Sequence, residues 1–186
     1  RGRSYHGRMP QTAHSPQHSA SAPALALTIA GSEATGGAGA QADLKTFQEL
    51  GVFGIVALTC IVSFDPEDDW NHRFFPVPTE ILQQQLDAIQ GDYPERLRTV
   101  KLGMQGSPEV IRTSAAALRR AEWDHVVLDP VLICKGQEPG HALDTDQALK
   151  AELLPLATFT TPNHFETEQL SGMTVRSVED LSLIHI

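Results

Sequence analysis

The sequence predicts an α/β domain in which helices cover both faces of a mostly parallel sheet. Apolar stretches of strand length alternate with segments whose apolar residues recur at helical spacing, and this alternation is typical of parallel sheets. Residues 52–63 are apolar almost throughout, as expected for a strand buried on both faces. The first predicted strand, residues 24–30, runs into a glycine-rich turn and then a helix. A chain of 186 residues is long enough to bury the core of such a domain.

The turn after the first strand, residues 31–45, reads GSEATGGAGAQADLK. Glycine lets the backbone bend sharply and approach a ligand, and the start of the following helix offers free N–H groups. Three interpretations fit: a turn without a ligand, a small-molecule pocket, or a dinucleotide fingerprint, because residues 37–42 match G-x-G-x-x-A. Asp65, the first acid after the next strand, comes late for a ribose contact. The small-molecule pocket is therefore the favoured interpretation.

The later elements follow from caps and apolar periodicity. Gly51 is expected to end the first helix, Thr79 to cap the second, and Ser107 with Pro108 to start the third. The predicted loops are residues 64–78 and 136–141, which are rich in turn-forming residues. The other predicted strands are residues 52–63, 100–102, 126–128 and 157–161. The other predicted helices are residues 79–89, 108–120, 146–154 and 163–170.

Composition limits the partners and the compartment. The formal net charge of −9 argues against nucleic acid or an anionic membrane surface as a partner. The longest apolar run, residues 52–62, is shorter than the roughly 20 residues that span a bilayer. Two cysteines do not make a disulfide framework, so a cytoplasmic protein is expected. Residues 1–23 are polar and contain no acidic residue, and we expect them to form a disordered tail.

Six motifs then occur in a characteristic order. They are GSEATGGAGAQADLKTFQELGV at residues 31–52, WNH at 70–72, KLGM at 101–104, VLDPV at 127–131, CKG at 134–136 and TPN at 161–163. Over residues 24–180 the chain resembles the pyridoxal kinase and hydroxymethylpyrimidine kinase group of the ribokinase-like superfamily. The resemblance implies a ribokinase-like three-layer αβα sandwich, present here in part, and a homodimer for the full-length protein. It also implies an enzyme that uses ATP and Mg²⁺ to phosphorylate the hydroxymethyl group of pyridoxal, pyridoxine or pyridoxamine.

The same resemblance implies roles for individual residues. Cys134 corresponds to a catalytic lid cysteine that can add to the aldehyde of pyridoxal, and the neighbouring Lys135 favours its thiolate form. Asp129 and Glu166 are implied as oxygen ligands of Mg²⁺, and Asn163 and Glu166 as contacts of the nucleotide. The substrate-binding residues that the resemblance implies are Gly31, Glu33, Gly37, His72, Met104 and Cys134.

Several of these residues also have a purely structural interpretation. Asn163 and Glu166 form an N-x-x-E capping box, which is compatible with a nearby phosphate because a helix start favours negative charge. Asp129 precedes a proline and can belong to a turn at the end of a strand, where open α/β sheets also bind ligands. His72 can be an ordinary loop histidine, and Met104 an ordinary core methionine.

The sequence leaves two questions open: which substrate the protein binds, and whether this chain is catalytically active. The hydroxymethylpyrimidine branch typically reads ALTAQNT after its second strand, whereas Phe64 stands here in place of its glutamine, which favours pyridoxal. The alternatives are a hydroxymethylpyrimidine or phosphomethylpyrimidine kinase of thiamine synthesis and a vitamin-binding protein without catalysis. The family's Gly-Thr-Gly turn, which carries the catalytic base and the anion hole, does not occur in this sequence. Residues 181–186 also look non-native, so we expect a fragment that is inactive on its own.

Overall fold

The computed structural model of the chain describes residues 22–132 and 139–184. The strands are β1 (Leu25–Glu33), β2 (Phe53–Asp65), β3 (Asn71–Pro76), β4 (Thr99–Leu102), β5 (His125–Leu128) and β6 (Phe159–Thr160). The helices are α1 (Gly39–Glu49), α2 (Thr79–Asp92), α3 (Pro108–Arg119), α4 (Pro139–Ala148), α5 (His164–Ser171) and α6 (Val178–Ile184). One six-stranded sheet has the order β3-β2-β1-β4-β5-β6. All neighbouring strands are parallel except β2 and β3, so the mostly parallel sheet is confirmed.

Helices cover both faces of this sheet. Leu27 and Ile29 of β1 are fully buried in an apolar cluster with residues of α2 and α3, among them Leu82. Thr28 points to the opposite face, because successive side chains of a strand alternate. There its Oγ1 donates a hydrogen bond of 2.6 Å to Asp43 of α1. Helix α1 therefore lies on one face and helices α2 and α3 on the other, which gives the expected three layers.

Strand β2 contains one residue more than β1 within their pairing. Ala30 pairs with Leu58, whereas Ser32 pairs with Ile61, and an extra residue of this kind marks a β-bulge. Gln85 of α2 satisfies the irregular backbone: its side chain accepts from the Leu58 N–H at 2.9 Å and donates to the Leu58 carbonyl at 3.2 Å. Beyond the bulge, β2 pairs with β3. The resulting β2–β3 hairpin lies beside the carboxyl end of β1.

The predicted caps of α1, α3 and α5 are confirmed. Gly51 follows α1 in the left-handed region, with a φ of 72°. The Ser107 side chain caps α3, and Pro108 occupies its first position. Asn163 and Glu166 form a reciprocal capping box at the start of α5. In each case the signal is local in sequence, so the prediction did not depend on distant contacts.

Two predictions around the hairpin are wrong. Residues 64–78 are not a single loop, because they contain β3. This edge strand is mostly exposed, so it carries no apolar run of the kind that reveals a buried strand. Thr79 does not cap α2, since Pro78 holds the capping position and Thr79 is the first helical residue.

The region before β6 also differs from the prediction. Helix α4 begins inside the predicted loop 136–141. The predicted helix over residues 146–154 is not regular throughout. It continues α4 through a π-helical turn at Leu149–Leu153 and then a 3₁₀ turn at Leu154–Leu156. A proline in this last turn cannot continue a regular helix.

The predictions for the two ends of the chain, residues 1–23 and 181–186, are not tested by the structure. The predicted disordered tail, residues 1–23, lies outside the described residues except for its last two. The segment predicted to be non-native, residues 181–186, is described up to Ile184, where α6 ends. Both assignments stay predictions.

Candidate functional site

A cavity of about 420 Å³ opens at the carboxyl ends of β1 and β4. The chain leaves β1 towards β2 on one side, and β4 lies on the other side of β1. This position is the topological switch point at which open α/β sheets bind ligands, and the volume is typical of small-molecule sites. The lining residues of this first cavity are Gly31, Ser32, Glu33, Thr35, Gly37, Ala38, Gly39, Val62, Phe64, His72, Lys101, Gly103, Met104, Asp129 and Val131.

Two glycines allow the backbone to form one wall of the first cavity. A Cβ atom on Gly31 would lie 2.6 Å from Sγ of the buried Cys60. Gly39 has a φ of 61°, and a Cβ atom there would collide with the Gly31 carbonyl group. Gly37 also lines the cavity, but its Cβ atom would be 3.6 Å from Thr35 Oγ1, an ordinary contact distance. Geometry therefore requires glycine at positions 31 and 39 and permits other residues at position 37.

The Glu33 carboxylate organises the glycine-rich turn from inside. Its Oε1 accepts from the Thr35 N–H at 2.7 Å. Its Oε2 accepts from the Thr35 hydroxyl at 2.9 Å and from the Gly37 N–H at 2.9 Å. Burial tends to raise the pKa of Glu33, but these hydrogen bonds, with one from the Ala38 N–H, lower it below the usual value. Because the chain's own carboxylate occupies these amides, they are not free to hold a pyrophosphate, which argues against a dinucleotide site.

We expect Glu33→Gln to weaken the dependence of stability on acid pH. The pKa of this carboxyl is lowered in the folded chain, relative to about 4.3 in an unfolded chain. Its contribution to the free energy of unfolding is therefore present above about pH 4.3 and is lost as the pH falls through the folded-state pKa. Urea unfolding at a series of pH values from about 3 to 7 measures this loss of the free energy of unfolding at acid pH. Glu49→Gln, an exposed change on α1, is the matched control. If Glu33→Gln lost as much stability at acid pH as the unmodified chain does, the lowered pKa of Glu33 would not be the cause.

The β2–β3 hairpin supplies the aromatic side of the first cavity. Phe64 of β2 and His72 of β3 are paired directly across the hairpin. Their rings meet edge to face, with centroids 4.7 Å apart and planes at 82°, a favourable geometry for aromatic pairs. Both rings line the cavity. The structure thus places His72 at the first cavity, and it does so through β3, a strand that the sequence did not reveal.

Met104 lines the cavity from the segment after β4. Its carbonyl oxygen accepts a hydrogen bond of 2.7 Å from the hydroxyl of buried Thr59. The next residue, Gln105, is also buried and donates to the carbonyls of Ile29 and Gly103 at 3.0 and 3.1 Å. These polar contacts fix the wall around Met104. Sequence reasoning missed Thr59 and Gln105, because buried polar side chains give no periodic signal.

A lysine between two carboxylates forms the polar end of the cavity. Lys101 Nζ lies 2.9 Å from Asp43 Oδ1 and 3.5 Å from Asp129 Oδ2. Gly103 leaves space for this side chain, since a Cβ atom there would lie 3.3 Å from Lys101 Nζ. Sequence reasoning missed Lys101 and Asp43. The available signal was a lysine inside the short apolar strand that ends at the cavity.

Glu166 lies close enough to Asp129 for their charges to interact. Its carboxylate accepts from the Asn163 N–H at 2.8 Å, and only 7% of the residue is exposed. Burial is the main cause that raises the pKa of Glu166; the hydrogen bond from Asn163 opposes the shift, and the negative charge of Asp129 adds to it. Carboxylate oxygens such as those of Asp129 and Glu166 are hard donors, the ligand type that Mg²⁺ prefers. No group of three or more His, Cys, Asp or Glu residues that could hold a metal is found in the described part of the chain.

The structure brings most of the predicted site residues together. Cys134 lies outside the described residues, and its role stays a prediction. Asn163 and Glu166 lie at the start of α5 and are not among the lining residues of the first cavity. The predicted residues that line it are Gly31, Glu33, Gly37, His72, Met104 and Asp129.

The profile of the phosphomethylpyrimidine kinase family matches residues 33–184. The chain belongs to this family. It is 46% identical over 161 residues to the pyridoxine kinase of Bacillus subtilis (strain 168), with 84% of the chain and 57% of that protein covered. It is 41% identical over 157 residues to the hydroxymethylpyrimidine/phosphomethylpyrimidine kinase of Haemophilus influenzae, with 84% of the chain and 56% of that protein covered.

Solved structures of related kinases share the fold. Pyridoxal kinase from Staphylococcus aureus in complex with pyridoxal superposes with a TM-score of 0.78 at 41% identity, covering 88% of the chain and 60% of that protein. An ADP complex of Bacillus subtilis pyridoxal kinase gives a TM-score of 0.80 at 43% identity, covering 88% of the chain and 61% of that protein. These similarities confirm the ribokinase-like fold.

The chain spans somewhat more than half the length of the curated family members that it matches. The activity, substrates and partners of the whole protein are therefore matters for a proposal. In the part of this family member that the structure describes, no helix is both long and apolar enough to cross a membrane.

Proposed function

We propose that the chain carries the substrate-binding part of an ATP-dependent kinase that phosphorylates the hydroxymethyl group of pyridoxal, pyridoxine or pyridoxamine. The observation that supports this best is the first cavity itself. It combines a wall of close backbone at Gly31, an aromatic side at Phe64 and His72, and a polar end at Lys101 and Asp129. A small heteroaromatic alcohol has matching parts, with a flat ring and a hydroxyl group that must meet a phosphoryl donor.

In this proposal the ring lies against Phe64 and Met104, and His72 hydrogen-bonds the ring hydroxyl. The hydroxymethyl group then faces the end of the cavity that Lys101 and Asp129 form. Phosphoryl transfer depends mainly on positioning and on stabilising charge. In this proposal these side chains position the hydroxymethyl group that accepts the phosphoryl group. Addition of Cys134 to the aldehyde of pyridoxal belongs to the same proposal.

The nucleotide and Mg²⁺ are assigned to the side of the sheet where α5 begins. Asn163 and Glu166 lie at the start of α5, and the positive end of a helix favours the negative charge of phosphate groups. Asp129 and Glu166 would hold Mg²⁺, and the ion when bound would neutralise charge on the phosphates. A Staphylococcus aureus pyridoxal kinase that resembles the chain was solved with AMP-PCP and pyridoxal, which supports ATP as the donor.

A hydroxymethylpyrimidine or phosphomethylpyrimidine kinase is the second candidate. The family profile and the Haemophilus influenzae relative favour it. Phe64 opposes it, because a phenyl ring cannot replace the hydrogen bond that a glutamine would give to a pyrimidine. Two further proposals accompany both candidates: the homodimer that the resemblance implies for the full-length protein, and the cytoplasmic location expected from the cysteine content. Sedimentation of the purified chain measures its oligomeric state.

Binding is the decisive experiment, because the 186 residues contain no Gly-Thr-Gly turn on which turnover would depend. Isothermal titration of the purified chain with pyridoxine, hydroxymethylpyrimidine and NAD compares the three interpretations directly. We expect pyridoxine to bind at least about tenfold more tightly than hydroxymethylpyrimidine, the factor that corresponds to one hydrogen bond. Tighter binding of hydroxymethylpyrimidine would select the second candidate, and preferential binding of NAD would overturn both. Phosphorylation of pyridoxine by this chain would refute the expectation that it is inactive alone.

We expect His72→Ala to weaken pyridoxine binding by about tenfold, because one hydrogen bond and one aromatic contact are lost. His125→Ala is the matched control, since His125 is exposed at the start of β5 and does not line the first cavity. The ratio of the two dissociation constants from titration calorimetry is the measured quantity. Equal affinities in the two variants would remove His72 from the proposed site.

A further inference from the structure

A second cavity, of about 450 Å³, adjoins the first at the tip of the β2–β3 hairpin. Thr35, Phe64 and His72 line both cavities. A ligand ring that contacts Phe64 and His72 in the first cavity can therefore extend a substituent into the second. The full lining of the second cavity is Thr35, Phe64, Asp69, Trp70, Asn71 and His72.

The tip of the hairpin holds Trp70 in an unusual conformation. Trp70 has a φ of 58° and the preceding Asp69 a φ of 48°, in the left-handed region that residues other than glycine rarely adopt. Trp70 is 62% exposed. Hydrogen bonds brace this turn, among them one of 2.8 Å from the Asn71 N–H to the Asp68 carbonyl. A conformation that is unfavourable locally and yet held by its surroundings is a reason to look for a function.

The charges around Trp70 point to the kind of group that it would contact. Residues 65–73 contain four acidic residues, and two of these have partners within the segment: Asp65 pairs with Arg73, and Asp68 accepts from Asn71. Asp69 lines the second cavity, and among the described residues its carboxylate forms no ion pair. Trp70 and Asp69 both line the second cavity, and this pair of residue types favours an ammonium group, because tryptophan gives the strongest cation–π contact and the carboxylate supplies the opposite charge.

We propose that the second cavity is a subsite for a cationic substituent of the ring bound in the first cavity, with Trp70 and Asp69 as its recognition elements. The proposal rests on the proposed function and adds a substrate preference to it. Ligands with a protonated aminomethyl group, such as pyridoxamine, bind more tightly than ligands with a neutral hydroxymethyl group in the same place, such as pyridoxine. The comparison leaves out pyridoxal, because its aldehyde takes that place and is the group proposed to react with Cys134. Trp70 and Asp69 are thus specificity-determining residues.

Titration calorimetry with pyridoxamine and pyridoxine tests this preference on the whole chain. For the unmodified chain we expect pyridoxamine to bind about fivefold to tenfold more tightly, a factor typical of an exposed cation–π contact with a charge partner. In Asp69→Asn and in Trp70→Leu the ratio of the two affinities falls to about one, while Trp70→Phe keeps part of the preference. Glu67→Gln is the matched control, since it removes an acid of the same turn that does not line either cavity, and it leaves the ratio unchanged.

The outcomes separate this proposal from the proposed function. If pyridoxine and pyridoxamine both fail to bind to the unmodified chain, the proposed function fails. If both bind and the ratio is the same in Asp69→Asn or Trp70→Leu as in the unmodified chain, the subsite is refuted while the proposed function stands. Pyridoxine binding by each variant also shows that the first cavity is still folded.

Fluorescence gives an independent readout, because the chain has two tryptophans. Trp123 is partly buried and donates a hydrogen bond of 3.1 Å to the Leu118 carbonyl, and it does not line either cavity. In a Trp123→Phe background the emission comes from Trp70 alone. We expect saturating pyridoxamine to change that emission more than saturating pyridoxine does. Equal changes for both ligands would contradict a direct contact between Trp70 and the ammonium group.

Discussion

Gly39→Ala is expected to cost roughly 3 kcal/mol of the free energy of unfolding and to abolish ligand binding. The φ of 61° at Gly39 alone costs an alanine about 1–2 kcal/mol. The new methyl group would also collide with the Gly31 carbonyl, so the turn has to move away from β1. That movement displaces Glu33 and opens the wall of the first cavity. Urea unfolding and pyridoxine titration measure the two effects.

Two other glycines separate the contributions to this effect. Gly51 has a φ of 72° with no atom within 4 Å of an added Cβ, so Gly51→Ala should cost only the backbone term of about 1 kcal/mol. Gly91 lies inside α2, also in open space, and Gly91→Ala should stabilise the chain by about 0.5–1 kcal/mol. Neither variant should alter pyridoxine binding. If Gly39→Ala cost no more than Gly51→Ala, the close approach of the turn to β1 would be wrong.

Lys101→Met is the second change with a large expected effect. It removes the cation that lies between Asp43 and Asp129 and leaves Asp43, whose side chain is 14% exposed, without its counter-charge. Breaking a fully buried pair costs about 3–5 kcal/mol. Because the Lys101 side chain is 22% exposed, solvent screens part of this loss, and we expect about 2 kcal/mol. Chemical denaturation of the variant measures it.

A matched control and a double variant make this expectation specific. Lys45→Met removes an exposed lysine whose Nζ donates to the Gly36 carbonyl, and it should change the free energy of unfolding by less than about 0.5 kcal/mol. Asp43→Asn combined with Lys101→Met removes both charges, and the double variant should be less destabilised than the sum of the single changes. Strict additivity would mean that the two side chains do not interact.

Local signals carried the successful parts of the sequence prediction. The capping box of Asn163 and Glu166 and the start of α3 at Ser107 depend on neighbours three residues apart, which a sequence displays directly. The glycines at positions 31 and 39 were visible as well. Only the structure shows why glycine is needed there: the turn and the neighbouring strands approach too closely to leave room for a Cβ atom.

Parts of the site that depend on distant contacts escaped prediction. Lys101 and Asp43 are 58 residues apart in the chain, and the local sequence around either residue does not indicate that the two form an ion pair. Strand β3 was missed because an exposed edge strand lacks an apolar run. Its absence from the prediction hid the reason why His72 reaches the cavity. The resemblance to known kinases supplied the residue and its expected role, and the hairpin supplies the physical cause.

The extra residue in β2 has a consequence for how this site can evolve. Before it, Ala57 packs into the apolar core. After it, the alternation of side chains shifts by one residue, and Val62 and Phe64 line the first cavity. One continuous strand therefore serves two environments that impose separate demands on its side chains. Substitutions at position 64 can therefore change the aromatic side of the first cavity while the apolar core around Ala57 stays intact.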